Sequence, residues 1–547
     1  MPSLTDLHKQ ILISVYLKRD THENGMTLAE YSDAVIAGTQ PILDHDAFVY
    51  QFGTTDDCVK VITDWATANN LTIFDAHLGT ATVKLLGTAG QYNSLFNITL
   101  EDITDGDRTY ITHASALCIP TDIDNVVELI AGLDNTITFG HNAILDNSVF
   151  PASDPSTISL PTPVQLAQAY DFPRSSGNDQ SQGAGACVGI VELGGGWTTQ
   201  NLTSTFGRIG LTNPTVVDVL VDGATNNPAD AGASGEVMLD IYCVGSVIPS
   251  GKTVMYFAPN TFQGFIDSIT AATNDNTNNP SVLSISWGTA QANWPSIYAT
   301  QFESALQASV IRGITTFVAI GDYGTQAISG GAIYTVQYPG SSNYVVSCGG
   351  TIVTINTDYT IASEVVWNQT SYSTGGGVST AYYIPFPTWQ SGKGYTYKTY
   401  PAGTVTALSS RGVPDMSAMA TNYQFYYSAN NSFGTFLGTS AVAPLLAGLM
   451  GRVNTLGNQR CGFINSKIYA STGVFSDITS GNNAAPAAVG YSATVGWDAC
   501  TGLGRPIGTA FAGLFGQQTN TPPVFPSYTV GTRPSTGQTF PRVNNFY

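Results

Sequence analysis

A chain of 547 residues carrying 19 Lys and Arg against 38 Asp and Glu has a formal net charge of −19, and only 10% of it is charged. That balance disfavours nucleic-acid binding, which needs clustered basic side chains to neutralise phosphates. The length suits two or three domains with ample core, an aromatic content of 11% argues against disorder, and no stretch approaches a membrane span. In chain order, residues 1–135 read as one unit. "ILISVYLK", "AFVYQFG", "LTIFDAHL" and "TVKLLG" read as strands, and "TLAEYSDAVIAG", "DDCVKVITDWATANN" and "GTAGQYNSLFN" as helices. Short strands mixed with helices predict an α+β domain around one small sheet. Residues 136–160 are turn-rich and read as an exposed linker with a cleavage zone.

From about 161 to 516 the texture changes. "CVGIVEL", "TVVDVLVDG", "TVMYFAP", "SVLSISWG", "TTFVAIGD" and "YVVSCGG" are near-continuous apolar strands alternating with helices. That pattern predicts an α/β domain with a parallel sheet covered on both faces. Active sites of such sheets lie beyond the carboxyl ends of the strands, which singles out Glu192, Trp287 and Asp322. Residues 517–547, rich in Pro, Thr and Asn, read as an extended tail. The seven cysteines have no zinc spacing and read as small buried thiols, with their pairing left open. The first residues lack a signal-peptide pattern, so the compartment stays open.

"FLGTSAVAPLLAGLM" (436–450) is a Gly-Thr-Ser turn running into an apolar helix. Such a turn presents a serine beside backbone N–H groups suited to an oxyanion. Yet all six histidines (8, 22, 45, 77, 113 and 141) lie far upstream of Ser440. Three readings stay open: Ser440 is structural, it borrows a base from the N-terminal region, or its base is not imidazole.

Only 18 carboxylates lie in 151–547. Glu236 and Asp240, four apart in "GEVMLDIYCV", share one face of an apolar helix, where like charges split the pair's two pKa values. A solvated helix face is the plain alternative. Asp322 follows a buried strand, where it either caps a turn or, protonated, donates to an oxyanion. Together they form a coherent machine: Glu236 takes the proton of Ser440, Asp240 orients Glu236, and Asp322 serves the oxyanion. A carboxylate base works in acid, where histidine is protonated. Separately, "SDITSGNN…TVGWD" offers two carboxylates and turn carbonyls, which suit a hard cation.

With these residues assembled, the chain resembles the sedolisin (serine-carboxyl) peptidases. The resemblance rests on "IVELGGG", "GEVMLD", "YFAPNT", "SISWG", "GDYG", "STGGGVS", "RGVPDMSA", "GTSAVAP" and "GWDACTGLGRPIG", in this order. It implies a subtilisin-like catalytic domain with Ser440, Glu236 and Asp240 as triad and Asp322 at the oxyanion. In the kumamolisin-like branch, positions matching Glu192 and Trp287 extend the hydrogen-bond network. It also implies one Ca2+ held by the Asp477 and Asp498 side chains and the carbonyls of Ile478, Thr494 and Gly496. The family usually has Gly where Thr494 stands, and Ser or Gly where Leu437 stands. Residues 1–135 resemble the family's propeptide, a ferredoxin-like α+β domain that blocks the cleft. The expected protein is therefore an acid-acting endopeptidase made as an autoactivating zymogen, monomeric, acting on peptides. Alternatives are a tripeptidyl-peptidase of the family and a silent structural or binding protein. An extracellular or acidic compartment would suit it. The early histidines fit either acid-triggered propeptide release or a solvated surface.

Overall fold

The computed structural model describes residues 3–19, 25–106, 108–146, 157–158, 160–381, 383–427 and 432–516. The expected tail at 517–547 and residues 147–156 of the expected linker lie outside the described residues.

The N-terminal unit is built on strand Gln10–Leu17, whose two faces differ. Ile11, Ile13, Val15 and Leu17 alternate toward one side, as strand periodicity requires. They join Val59, Ile62 and Trp65 of helix Asp56–Ala68 and Tyr92 and Phe96 of helix Ala89–Phe96 in one core. Each helix starts where the sequence supplies a cap: Thr55 accepts from Cys58 N–H, and Thr88 and Gln91 form a capping box. The four-stranded antiparallel sheet runs Thr72–His77, Thr82–Thr88, Gln10–Leu17, Val127–Ala131 in space. With a helix in each crossover this is the β-α-β-β-α-β order of a ferredoxin-like domain, as expected.

One predicted strand is a helix. "AFVYQFG" belongs to helix His45–Phe52, capped by the Asp44 side chain accepting from Ala47 N–H. Its aromatic content favours a strand, but Phe48 and Phe52 stand four apart and are both fully buried on one side. Tertiary burial of that i, i+4 face overrides the local preference.

The other face of the Gln10–Leu17 strand docks on the second unit. Ser14 Oγ and Tyr16 Oη donate to Asp267 at 2.6 and 2.7 Å, and Gln263 Nε2 donates to Ser14 Oγ at 2.9 Å. Lys84 Nζ reaches Asp267 at 3.1 Å and also pairs with Asp222. Asp267 and Gln263 lie on the largely buried helix Phe262–Asn274. Asp267→Ala would strand two buried hydroxyls without an acceptor. In a Ser440→Ala background it is expected to destabilise the precursor by about 3 kcal/mol, read as a lower denaturant midpoint. An unchanged midpoint would show that this junction contributes nothing.

The second unit holds a largely parallel sheet. Its spatial order is Thr215–Leu220, Lys252–Phe257, Cys187–Glu192, Val282–Ile285, Thr315–Ala319, Val346–Asn356, with Met416–Met419 beside the last. Sequence progression reverses between Cys187–Glu192 and Val282–Ile285, and a crevice at the carboxyl ends of such a switch point is where ligands bind. Apolar residues cover both faces. Val188, Ile190, Val282 and Phe317 pack with helices Ser234–Val247 and Val442–Leu456, while Val191, Ile285 and Val318 pack with helices Phe262–Asn274 and Ser296–Ile311. That is why these strands read as unbroken hydrophobic runs. All seven cysteines are unpaired, and Cys187, Cys243, Cys348 and Cys500 are buried. Among the described residues no helix is long and apolar enough to cross a membrane.

Candidate active site

Every residue of helix Ser234–Val247 is buried, so Glu236 and Asp240 have no access to water. The solvated-face alternative is therefore removed. Gly235 sits beside them for a steric reason. A Cβ there would lie 2.6 Å from the Phe436 ring, so only glycine lets the strand Ser432–Leu437 pass. That strand delivers the Gly438-Thr439-Ser440 turn to the helix Val442–Leu456.

Ser440 Oγ donates to Glu236 Oε2 at 3.0 Å. The neighbouring Asp240 accepts from Ser286 Oγ at 3.0 Å on both oxygens. Burial, then the charges of Glu236 and Glu192, push the Asp240 carboxyl well above the ordinary range. Glu192, at the end of its strand, accepts from Trp287 Nε1 at 3.0 Å. Its carboxyl is likewise pushed well up, by burial first and by Glu236 second. The five residues Ser440, Glu236, Asp240, Glu192 and Trp287 are thus brought into one buried cluster.

Asp322 enters from the adjacent strand end. Its Oδ1 accepts from Thr439 N–H at 2.8 Å and from Thr439 Oγ1 at 2.9 Å. Its Oδ2 has no hydrogen-bond partner although fully buried. Burial raises this carboxyl well above the usual carboxylate range, against the Thr439 donors. A carboxyl so placed keeps its proton on Oδ2 and can donate it. The turn is tight: Gly438 has φ +142°, and a Cβ there would meet Asn142 O at 1.7 Å and Asp322 Oδ2 at 2.7 Å.

The presence of Asn142 at this point corrects the reading of 136–160 as an exposed linker for residues 139–146. Phe139, Asn142 and Ala143 are buried. Residues Gly140–His141 pair antiparallel with Gly288 and Trp287, and Ile144–Asp146 pair antiparallel with Leu437, Phe436 and Thr435. The segment reads as turn-rich because its apolar residues obey no single period. They fill a groove whose two walls are different strands.

One of the six histidines reaches this site. His141 Nδ1 lies 3.4 Å from Glu236 Oε2, and its ring meets Trp287 edge-on at 5.3 Å. It faces the carboxylate, while the serine hydroxyl donates to Glu236. Burial lowers the imidazole pKa, but Glu236 and the backbone of Gly232 and Ala143 outweigh it and leave it raised. Sequence reasoning missed this contact, and it missed Gln337 as well. Gln337 Nε2 donates to Asn142 Oδ1 at 3.3 Å, and Gln337 Oε1 accepts from Asn142 Nδ2 at 3.2 Å. No local signal in "IYTVQYPG" marks Gln337, because its partner is 195 residues away.

The candidate metal ligands converge from two loops. Gly496 N–H donates to Asp477 Oδ2 at 2.8 Å, and Thr494 N–H donates to Asp498 Oδ2 at 3.1 Å. Asp498 is fully buried, and its carboxyl is pushed up to about 7 by that burial despite donors from Cys500, Thr501 and Thr494. Both Asp498 oxygens already accept hydrogen bonds, and among the described residues no group of three or more His, Cys, Asp or Glu is gathered for a metal, so a cation here would rely on backbone carbonyls beside the two carboxylates. Thr494 is not among the residues with positive φ, so its substitution for glycine strains nothing.

The chain was compared with known proteins. The family described as Pro-kumamolisin, activation domain, matches residues 4–136, and the Subtilase family matches residues 224–462. Kumamolisin of Bacillus sp. is 36% identical over 512 residues, covering 91% of this chain and 90% of that protein. Tripeptidyl-peptidase sed1 of Aspergillus fumigatus is 31% identical over 267 residues, covering 43% of this chain and 41% of that protein. The solved structure of Pseudomonas sedolisin, a serine-carboxyl proteinase complexed with two molecules of pseudo-iodotyrostatin, superposes with a TM-score of 0.54 at 24% identity, covering 64% of this chain and 96% of the other.

Proposed function

The chain belongs to the sedolisin family of serine-carboxyl peptidases, and from that premise we propose that it is an acid-acting endopeptidase made as a precursor that removes its own N-terminal domain. The observation that carries the reading is the 3.0 Å hydrogen bond from Ser440 Oγ to Glu236 Oε2 in a cluster with no triad histidine. In this reading Ser440 attacks the peptide carbonyl while Glu236 takes its proton. Asp240, anchored by Ser286, orients Glu236, and the Glu192–Trp287 pair packs the far side. The Asp322 carboxyl and the Ser440 N–H at the helix entrance receive the oxyanion. Glu236 then gives its proton to the leaving amine as the C–N bond breaks, and water, deprotonated by Glu236, hydrolyses the resulting ester and frees Ser440.

An endopeptidase is favoured over a tripeptidyl-peptidase by the chain lying in the groove. From Asn142, beside the Gly438 turn, the segment runs back through Gly140–His141 to Phe139. Its ring sits among Phe262, Phe265 and Trp294, with centroids 4.8–5.3 Å away. Asn260 brackets Phe139 by accepting from its N–H at 2.7 Å and donating to its carbonyl at 2.9 Å. Phe139 lies one residue further back than the tripeptide 140–142, and its seating in the groove supports a cleft open at that end. Purified protein brought to about pH 4 is expected to cut internal bonds of a long peptide. Release of tripeptides only, from a free N-terminus, would overturn the endopeptidase reading.

One calcium ion at Asp477, Asp498 and the carbonyls of Ile478, Thr494 and Gly496 belongs to the same proposal. It would neutralise the buried Asp498 carboxylate and tie the two loops together, a structural role. Saturation at a hundredfold excess over Kd adds about 2.7 kcal/mol to stability. Chelation is therefore expected to lower the melting temperature by several degrees, with recovery on adding Ca2+ but not in Asp498→Asn. Equal melting temperatures with and without chelator would remove the ion from the account.

A further inference from the structure

We propose that the first bond this protein cuts is its own Asn142–Ala143 peptide bond, and that Gln337 makes the enzyme selective for a carboxamide side chain before the cut. The proposal rests on the reading of Ser440 as nucleophile. Two strand registers place the bond. Gly140 and His141 pair with Gly288 and Trp287 on one wall, and Ile144 pairs with Leu437 on the other. Asn142 and Ala143 alone lie between the two ladders. Leu437 stands just three residues before Ser440, so the gap between the ladders falls at the nucleophile.

Three further contacts fix Asn142 as the acyl residue. Its N–H donates to Ser286 O at 3.3 Å, continuing the ladder to the last residue before the cut. Its carbonyl oxygen and Asp322 Oδ2, the oxygen of that carboxyl without a hydrogen-bond partner, both border the space a Cβ on Gly438 would take, at 1.7 and 2.7 Å from it. Its side chain is read by Gln337 in a reciprocal amide pair, and Asn142 Nδ2 also donates to Ser286 O at 3.2 Å. Gln337 is buried and held by donation to Ala327 O at 2.7 Å. Gly321, at φ +105°, makes the room: a Cβ there would lie 2.7 Å from the Gln337 side chain. A preoriented amide in a buried pocket rejects an isostere that leaves it unpaired.

The step is a hydrolysis. Ser440 Oγ bonds to the Asn142 carbonyl carbon and its proton passes to Glu236. The Asn142 C–N bond then breaks as Glu236 returns the proton to the Ala143 nitrogen. Water, deprotonated by Glu236, then releases the acyl group, leaving a carboxylic acid at Asn142 and Ser440 regenerated.

The test acidifies the full-length precursor and its Ser440→Ala variant to about pH 4 and identifies the earliest fragments by intact mass and N-terminal sequencing. The expected first products are residues 1–142 and a partner beginning at Ala143, in wild type only. An earliest cut elsewhere in wild type overturns this inference and leaves the peptidase reading standing. No cut in wild type, or the same cut in Ser440→Ala, overturns the peptidase reading itself. Selectivity is measured separately on peptides, so it does not depend on a variant folding. A peptide with Asn before the scissile bond is expected to exceed its Leu counterpart in kcat/KM by about 10- to 100-fold. Equal values, or a preference for Leu, overturn the assignment of Gln337.

Discussion

Ser440→Ala is expected to abolish peptide hydrolysis and self-processing together, lowering kcat by about 10^6-fold, since the nucleophile and its base act as a unit. Glu236→Gln should fall nearly as far. The amide cannot accept the hydroxyl proton, yet it fills the same buried volume beside Ser440 Oγ. The two losses should not add, so the double variant is expected to match Ser440→Ala. Assays on a chromogenic peptide in acid, with circular dichroism to verify folding, decide this. Glu236→Gln retaining more than a tenth of wild-type kcat would remove the carboxylate base. Because His141 faces Glu236 at 3.4 Å, enzyme matured from a His141→Ala precursor serves as a control. On the proposed processing residue 141 is removed with the N-terminal domain, so its activity is expected to be unchanged.

The second large effect belongs to Asp322. Asp322→Ala deletes a donor to the oxyanion and is expected to lower kcat by about 10^2–10^3-fold. Asp322→Asn retains a donor that never ionises, so it should recover part of that loss and change the pH profile. The sign follows from the direction of the shift. Burial raises the Asp322 carboxyl, so the proton stays on through the ordinary carboxylate range and leaves only above it. Activity that depends on that proton falls as pH rises through the raised pKa. Asp322→Asn is therefore expected to move the alkaline limb upward, and an unmoved limb would assign the limb to another group.

The same directions bear on stability. Asp322, Asp240 and Glu192 all have carboxyls raised in the fold by burial first. A group bound more tightly to its proton when folded stabilises the fold fully below its unfolded pKa and loses that contribution as pH rises through the folded one. The uncleaved precursor, held intact as its Ser440→Ala variant, is thus expected to be more resistant to unfolding in acid than at neutrality. Urea midpoints across that range would test it.

The site was legible where a chemical type stood out against its surroundings. Two carboxylates four apart in "GEVMLDIYC" are conspicuous because every other residue there is small or apolar, and the helix proves buried throughout. Asp322 was legible because it ends a continuous apolar strand at a glycine-flanked turn. Local reasoning failed where distant parts decide. Residues 47–53 carry a strand's composition, yet Phe48 and Phe52 find a helical face to fill beneath Tyr31, whose ring meets Phe52 edge-on at 5.2 Å. Residues 139–146 look like loop because each half borrows a partner strand from more than 140 positions away. Gln337 carries no signature at all, since a glutamine matters only for what stands opposite it.

In the proposed mechanism a carboxylate performs the task given to histidine in an ordinary serine peptidase. The measurement that meets it most directly is kcat/KM of the processed enzyme against pH on a substrate without ionisable side chains. A maximum in the carboxylate range, with activity lost well before neutrality, is the predicted result. A maximum at or above pH 7, where imidazole is the neutral base, would contradict it.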